Sequence, residues 1–159
     1  MLYEAYGIPV VCENGHGLTG RLEQEPERAA KYCPECGAPT LSTCPACNTR
    51  IRGHHDSITL GRYAPPRYCH ACGSPYPWTA SAIAALREMT EEAAGLSDAD
   101  RAKLAASIDD LIRDTPKTEL AAQRFKQLAS KLAKGTWESM RAVIVSVATE
   151  AAKSKLGLG

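Results

Sequence analysis

The chain has 159 residues, room for one or two small domains. Its net charge of +1 excludes a uniformly basic surface of the kind that grips nucleic acid everywhere, and its single phenylalanine, Phe125, excludes a large aromatic core. The longest apolar run, "AVIV" within 140–148, is far too short to span a bilayer, and "MLYEAYGIPVVCENG" lacks the basic start and apolar stretch of a secretory signal. These features predict a cytoplasmic chain with no membrane contact and reduced thiols, in which paired cysteines mean metal.

Composition shifts near Trp78. Residues 1–78 contain every cysteine, every histidine and most of the Pro and Gly, and read as loops and short strands. Three C-x-x-C pairs occur in order: Cys33/Cys36 in "CPECG", Cys44/Cys47 in "CPACN" and Cys69/Cys72 in "CHACG". Both thiolates of such a pair can reach one ion, and Gly37 and Gly73 can take the left-handed turn that aims backbone N–H groups at sulfur. Zinc takes four ligands and accepts Cys or His. Six paired sulfurs leave two sites short by two, and "CENGH" supplies Cys12 and His16. The eight ligands fill two structural zinc sites with none over. Sequential pairing puts Cys12, His16, Cys33 and Cys36 in one site and Cys44, Cys47, Cys69 and Cys72 in the other. Cross-braced pairing, first with third and second with fourth, remains open at this point.

Between the second and third pairs lies "RIRGHHDS", residues 50–57. Its histidines are surplus to the zinc count, as is His70. If "NTRIRG" is a strand, alternation puts Arg50, Arg52 and His54 on one basic, exposed face and Ile51 on the other. From Arg50 to His70 four arginines (Arg50, Arg52, Arg62, Arg67) meet one acid, Asp56, with Tyr63 and Tyr68 among them. Arginine beside aromatic rings fits phosphate contact and base stacking, so Arg62, Arg67, Tyr63 and Tyr68 are candidate RNA contacts. His54 or His55 could act as general base or general acid, with Asp56 orienting the imidazole and Arg50 or Arg52 holding phosphate. The competing reading is a solvated turn.

Residues 79–159 carry one proline and are rich in Ala, Leu, Lys and Glu. Thr79 or Ser81 is placed to cap a helix carrying Ile83, Leu86 and Met89 and stopping at Gly95. Ser97 with Asp100 reads as a capping box that opens a helix carrying Leu104, Ile108, Leu111 and Ile112. Thr115 followed by Pro116 starts a third helix running to about Gly135. There Ala121, Phe125, Leu128 and Leu132 share one face, and Arg124, Gln127, Lys131 and Lys134 an adjoining stripe. Arg124 and Lys131 could extend a nucleic-acid groove or be a solvated face. A fourth helix runs from Thr136 toward Gly157. Its stripe of Trp137, Met140, Ile144, Val147, Ala148 and Ala151 is either bundle core or a homo-oligomer interface through the C-terminal helices. The expected fold class is small α+β: a pair of zinc ribbons in 1–78, then an α-helical bundle in 79–159.

The stretches "CENGH", "YCPECG", "CPACNTRIRG" and "YCHACGSPYPWT" resemble a family of uncharacterised bacterial double zinc-ribbon proteins. The resemblance implies two zinc ions and a helical tail. Some similar small zinc-finger proteins act as phage-triggered ribonuclease toxins. On that likeness the expected function is a metal-independent ribonuclease of antiphage defence, with RNA as substrate and a phage protein as trigger. The alternative is a non-catalytic zinc-ribbon adaptor that binds protein or nucleic acid.

Overall fold

The structure, a computed structural model, describes residues 5–57 and 61–158. It divides into two compact units, Met1–Ser81 and Ala82–Gly159.

The first unit opens on a small antiparallel sheet of β1 (Val10–Cys12), β2 (Gly17–Thr19) and β3 (Thr40–Leu41), in the order β2-β1-β3. Val10 and Val11 are β-branched and buried, which suits a short central strand. The Asn14–Gly15 turn reverses the chain, with Gly15 at φ 86 and its N–H donating to the Cys12 carbonyl. On the other side Cys12 pairs with Thr40. Thr40 closely follows the Cys33/Cys36 turn, so the β1–β3 pairing carries that turn to Cys12.

The three C-x-x-C turns are built alike. Each is closed by an isolated antiparallel bridge: Tyr32 with Pro39, Thr43 with Arg50, Tyr68 with Pro75. Inside each, the residue after the second cysteine donates its N–H to the carbonyl of the first: Gly37 to Cys33, Asn48 to Cys44, Gly73 to Cys69. All three donors are left-handed, at φ 73, 59 and 73.

No strand forms over "NTRIRG" beyond the Arg50 bridge. Instead the chain threads between two other segments. The Gly53 N–H donates to Gly7 (3.1 Å), Gly7 donates back to His54 (2.8 Å), and His54 donates to Gly20 (2.8 Å). Only glycine fits at 53, because a Cβ there would lie 2.2 Å from the carbonyl oxygens of both Gly7 and Gly20. The expected alternation survives in part without the strand: Ile51 is fully buried and Arg50 and Arg52 are exposed, but His54 is half-buried.

Among the described residues five α-helices follow where four were expected: α1 (Pro77–Glu92), α2 (Asp98–Ile112), α3 (Thr118–Ala129), α4 (Lys134–Val147) and α5 (Glu150–Leu156). α1 begins at Pro77, where a missing N–H costs nothing, and Thr79 is buried in its first turn rather than capping it. Ser97 caps α2 by accepting from the Asp100 N–H (3.1 Å), as read from sequence. Asp100 turns its own carboxylate to Lys131 (2.7 Å). The start expected at Thr115–Pro116 is a turn before α3: Thr115 Oγ1 accepts from Lys117, and Thr118 Oγ1 donates to the Arg113 carbonyl. The expected last helix breaks in two because Thr149 caps α5, accepting from Ala152 and donating its own N–H to the Leu111 carbonyl.

The apolar stripe of α4 closes within the chain: Met140, Ile144, Val147 and Ala148 are buried, while Val145 and Ala151 are exposed. Phe125 and Ala122 on α3 have no exposure, and α3 packs against α2 and α5. Among the described residues no helix is long and apolar enough to cross a membrane.

Candidate metal centres and the histidine segment

Two clusters gather all eight candidate ligands. Cys12, His16, Cys33 and Cys36 offer ligand atoms within 4.8 Å of one another, and Cys44, Cys47, Cys69 and Cys72 do the same. The pairing is therefore sequential. In the first cluster Cys12 Sγ lies 3.4 Å from His16 Nδ1 and 3.8 Å from Cys36 Sγ, and Cys33 Sγ lies 3.6 Å from the same nitrogen. In the second, Cys44 to Cys72 spans 3.9 Å and Cys47 to Cys69 spans 3.7 Å. Zinc bonds of about 2.3 Å to sulfur and about 2.0 Å to nitrogen give tetrahedral edges of roughly 3.5–3.8 Å. The donor chemistry and spacing fit two such ions, each with four protein ligands and no open position.

The backbone prepares the sulfurs for a cation. N–H groups of Cys72 and Ala71 pull the Cys69 thiol down to about 6. The Ala38 N–H and then the Asn14 amide pull Cys36 down to about 6. Burial acts oppositely at Cys44, pushed up to about 11, and raises Cys12. Each cluster thus mixes sulfurs held by N–H groups with sulfurs that burial disfavours as thiolates, and a bound dication stabilises all of them. At the first cluster Glu35 faces the outer nitrogen of His16 at 3.8 Å, and Arg62 holds Glu35 at 2.9 Å. A carboxylate behind a ligating histidine fixes its ring.

The second cluster has its own small core. Cys44, Cys69, Ile51 and Tyr76 pack together, with Leu41 and Trp78 against them. Tyr76 stacks on Trp78 at 4.9 Å, and the indole N–H donates to the Pro66 carbonyl. His70 is exposed on its turn and belongs to neither cluster.

The histidines of "RIRGHHDS" are held from behind. Arg21 donates to His54 Nδ1, at 3.3 Å from Nε and 3.2 Å from Nη2. Ser57 N–H donates to His55 Nδ1 at 3.2 Å, with the Ser57 hydroxyl at 2.7 Å. A guanidinium and a backbone N–H are donors only, so each Nδ1 is an acceptor and each ring proton sits on Nε2. Both rings are also edge-on to tyrosines: His54 to Tyr63 at 5.4 Å, His55 to Tyr6 at 5.0 Å. Asp56 is exposed, and among the described residues the Nδ1 partners are Arg21 and Ser57 rather than Asp56. Arg52 lies over the Tyr6 ring at 4.8 Å, a cation–π contact.

The other candidate RNA contacts are dispersed. Arg62 is paired with Glu35. Tyr63 is buried, with its hydroxyl donating to the Arg52 carbonyl at 2.7 Å, and burial pushes its ionisation well above the usual range. Arg67 and Tyr68 are half-buried. Arg124 and Lys131 belong to the second unit, and Lys131 is paired with Asp100. A groove of about 620 Å³ takes in His54, but its walls carry Glu25, Glu27 and Glu35 as well as Arg28 and Arg62. Arg28 is itself paired with Glu25, whose carboxyl is held below its ordinary value by the Thr19 hydroxyl first and by Arg28 and Arg21 after it.

Sequence reasoning missed Arg21, Glu35 and Asn48. Asn48 was detectable, since it occupies in "CPACN" the place of the glycine in "CPECG" and "CHACG", and Asn tolerates left-handed backbone. Arg21 carries no such signal: it meets His54 across 33 residues of chain.

Residues 5–156 match the family described as "Uncharacterized protein conserved in bacteria" (DUF2321). The chain belongs to this family. No curated protein and no solved structure matches it.

Proposed function

We propose that this member of the family is a non-catalytic zinc-ribbon adaptor, in which two structural zinc ions brace the first unit as a binding platform. The observation that carries this reading is the state of the two imidazoles. A general base needs a lone pair facing its substrate, whereas His54 and His55 spend theirs on Arg21 and Ser57. Both metal clusters already hold four ligands, so neither supplies an open position for a reacting water. The groove beside His54 has three carboxylates on its walls, a poor lining for a phosphate backbone.

The finer reading from sequence, a metal-independent ribonuclease toxin with His54, His55, Asp56, Arg50 and Arg52 at its centre, draws on the resemblance and on the exposed arginines. It requires one imidazole to release its Nδ1 partner and Asp56 to take that place. The deciding experiment incubates the zinc-loaded full chain with labelled RNA, beside His54→Ala and Arg21→Ala. The adaptor reading expects no cleavage by any of the three. Cleavage by the wild type that disappears in His54→Ala at unchanged zinc content establishes the ribonuclease instead.

A further inference from the structure

We propose that the groove between α2 and α3 docks an acidic amphipathic helix from a partner protein. The groove encloses about 880 Å³ in the second unit. Its floor is aliphatic, with Ala106 from α2 and Ala121 and Leu128 from α3. Leu120 stands on its wall with 46% of its surface exposed, a large apolar side chain that the fold leaves uncovered. Around this floor stand Lys103, Lys117, Arg124 and Lys131, against Asp100 and Asp110. Lys131 and Asp100 satisfy each other at 2.7 Å. Among the described residues the carboxylate pairs of this unit leave Lys103, Lys117 and Arg124 out. The groove therefore offers four cations against two carboxylates, Asp100 and Asp110, around an apolar strip.

The spacing says what shape fits. Lys117, the N-cap of α3, and Arg124 are seven positions apart, with Leu120 four residues before Arg124 on the same side of the helix. A second helix lying along this stripe meets two cations about 10.5 Å apart, given a rise of ~1.5 Å per residue. It complements the stripe with carboxylates seven positions apart flanking leucine-sized side chains, the helix-in-groove mode of recognition. Single-stranded RNA fits less well, because among the described residues no aromatic ring lines the groove for bases to stack on. The rim charges set partner choice and association rate, and the apolar floor supplies the buried contact.

The inference rests on the adaptor reading in that it names a class of partner, but it concerns the second unit alone. The test uses the zinc-loaded full chain and fluorescence anisotropy. The probe is a labelled, helix-forming synthetic peptide with glutamate at every seventh position beside a leucine face. Controls are the same peptide with lysine for glutamate, and a labelled oligouridine. The acidic peptide is expected to bind at least ~10-fold tighter than the lysine peptide, with affinity falling as salt rises. Arg124→Glu and Leu120→Asp should each weaken it ~10-fold or more at unchanged helicity and zinc content, since both side chains are at the surface. Equal binding of the two peptides, no binding of the acidic one, or indifference to Arg124→Glu overturns the proposal. So does oligouridine displacing the acidic peptide at comparable affinity. In all these cases, absence of RNA cleavage leaves the adaptor reading standing, whereas cleavage removes that reading whatever the peptide does.

Discussion

The two units are held together by different physics. In the first, four of the buried positions are cysteines of the metal clusters (Cys12, Cys33, Cys44 and Cys69), and among the described residues the other buried side chains are few: Pro9, Val10, Val11, Thr19, Ile51, Tyr63, Tyr76 and Thr79. Its strands are two or three residues long. So little apolar burial offsets little of the entropy of ordering so much loop, and coordination at the two clusters would supply the difference. Among the described residues the second unit gathers no such cluster. Leu104, Ile108, Phe125, Met140 and Ile144 are each at most 1% exposed, and its helices bond their own backbone. One half of the chain gathers metal-ligand clusters where packing is sparse, and the other is held by packing.

Chelation should separate the halves most sharply. Structural zinc contributes apparent free energies of about 10–16 kcal/mol in small zinc-folded peptides, far above ordinary packing differences. A strong chelator should release two equivalents of zinc and unfold the first unit while helical circular dichroism persists. Trp78 and Trp137 lie in different units, so a Trp137→Phe variant reports on the first alone. If its fluorescence is indifferent to chelator, the division of labour is wrong. Cys44→Ser should imitate half of this by losing one equivalent.

The reciprocal experiment is Phe125→Ala. The ring is fully buried and tilted against Trp137 at 6.2 Å. Its removal should cost about 3–5 kcal/mol and lower the melting of the helices. Zinc content should stay at two equivalents; loss of metal in this variant would show the halves to be one cooperative body.

A smaller effect sharpens the account of the metal turns. Asn48 holds at φ 59 the left-handed conformation that glycine holds at 37 and 73. Asn48→Ala should destabilise the second cluster by about 1 kcal/mol, and Asn48→Gly should not. Zinc-release rates under competition with a chromogenic chelator would check it; equal rates for Ala and Gly would remove backbone strain from the explanation.

The smallest effect belongs to the second unit. Lys131 beside Asp100 holds its carboxyl below the usual carboxylate range. The unfolded chain then binds a proton there more readily than the folded one. The stability this pair contributes is present above the ordinary carboxylate value of about 3.9 and is lost as pH falls below it. Asp100→Asn should flatten the acid limb of the stability curve slightly and leave neutral pH nearly unchanged. A steeper acid limb in the variant would contradict the sign.

Much of this was legible in the residues. Three C-x-x-C pairs plus Cys12 and His16 count to eight, and four-coordinate zinc divides eight by two, so the ligand set followed from stoichiometry and spacing. The break from loops to helices near Trp78 followed from composition, and the cap at Ser97 from its side chain alone. These are local properties, and a local signal needs no knowledge of what lies across the fold. The pairing of ligands needed the sheet, because the register of Cys12 against Thr40 brings the Cys33/Cys36 turn to Cys12 and His16. The split between α4 and α5 needed the Leu111 carbonyl, which gives Thr149 a partner from another helix. The character of His54 needed Arg21, and that of Tyr63 and Arg62 needed the Arg52 carbonyl and Glu35. A side chain's type is written in the sequence, but whether its lone pair or charge is available depends on which distant group the tertiary structure sets against it.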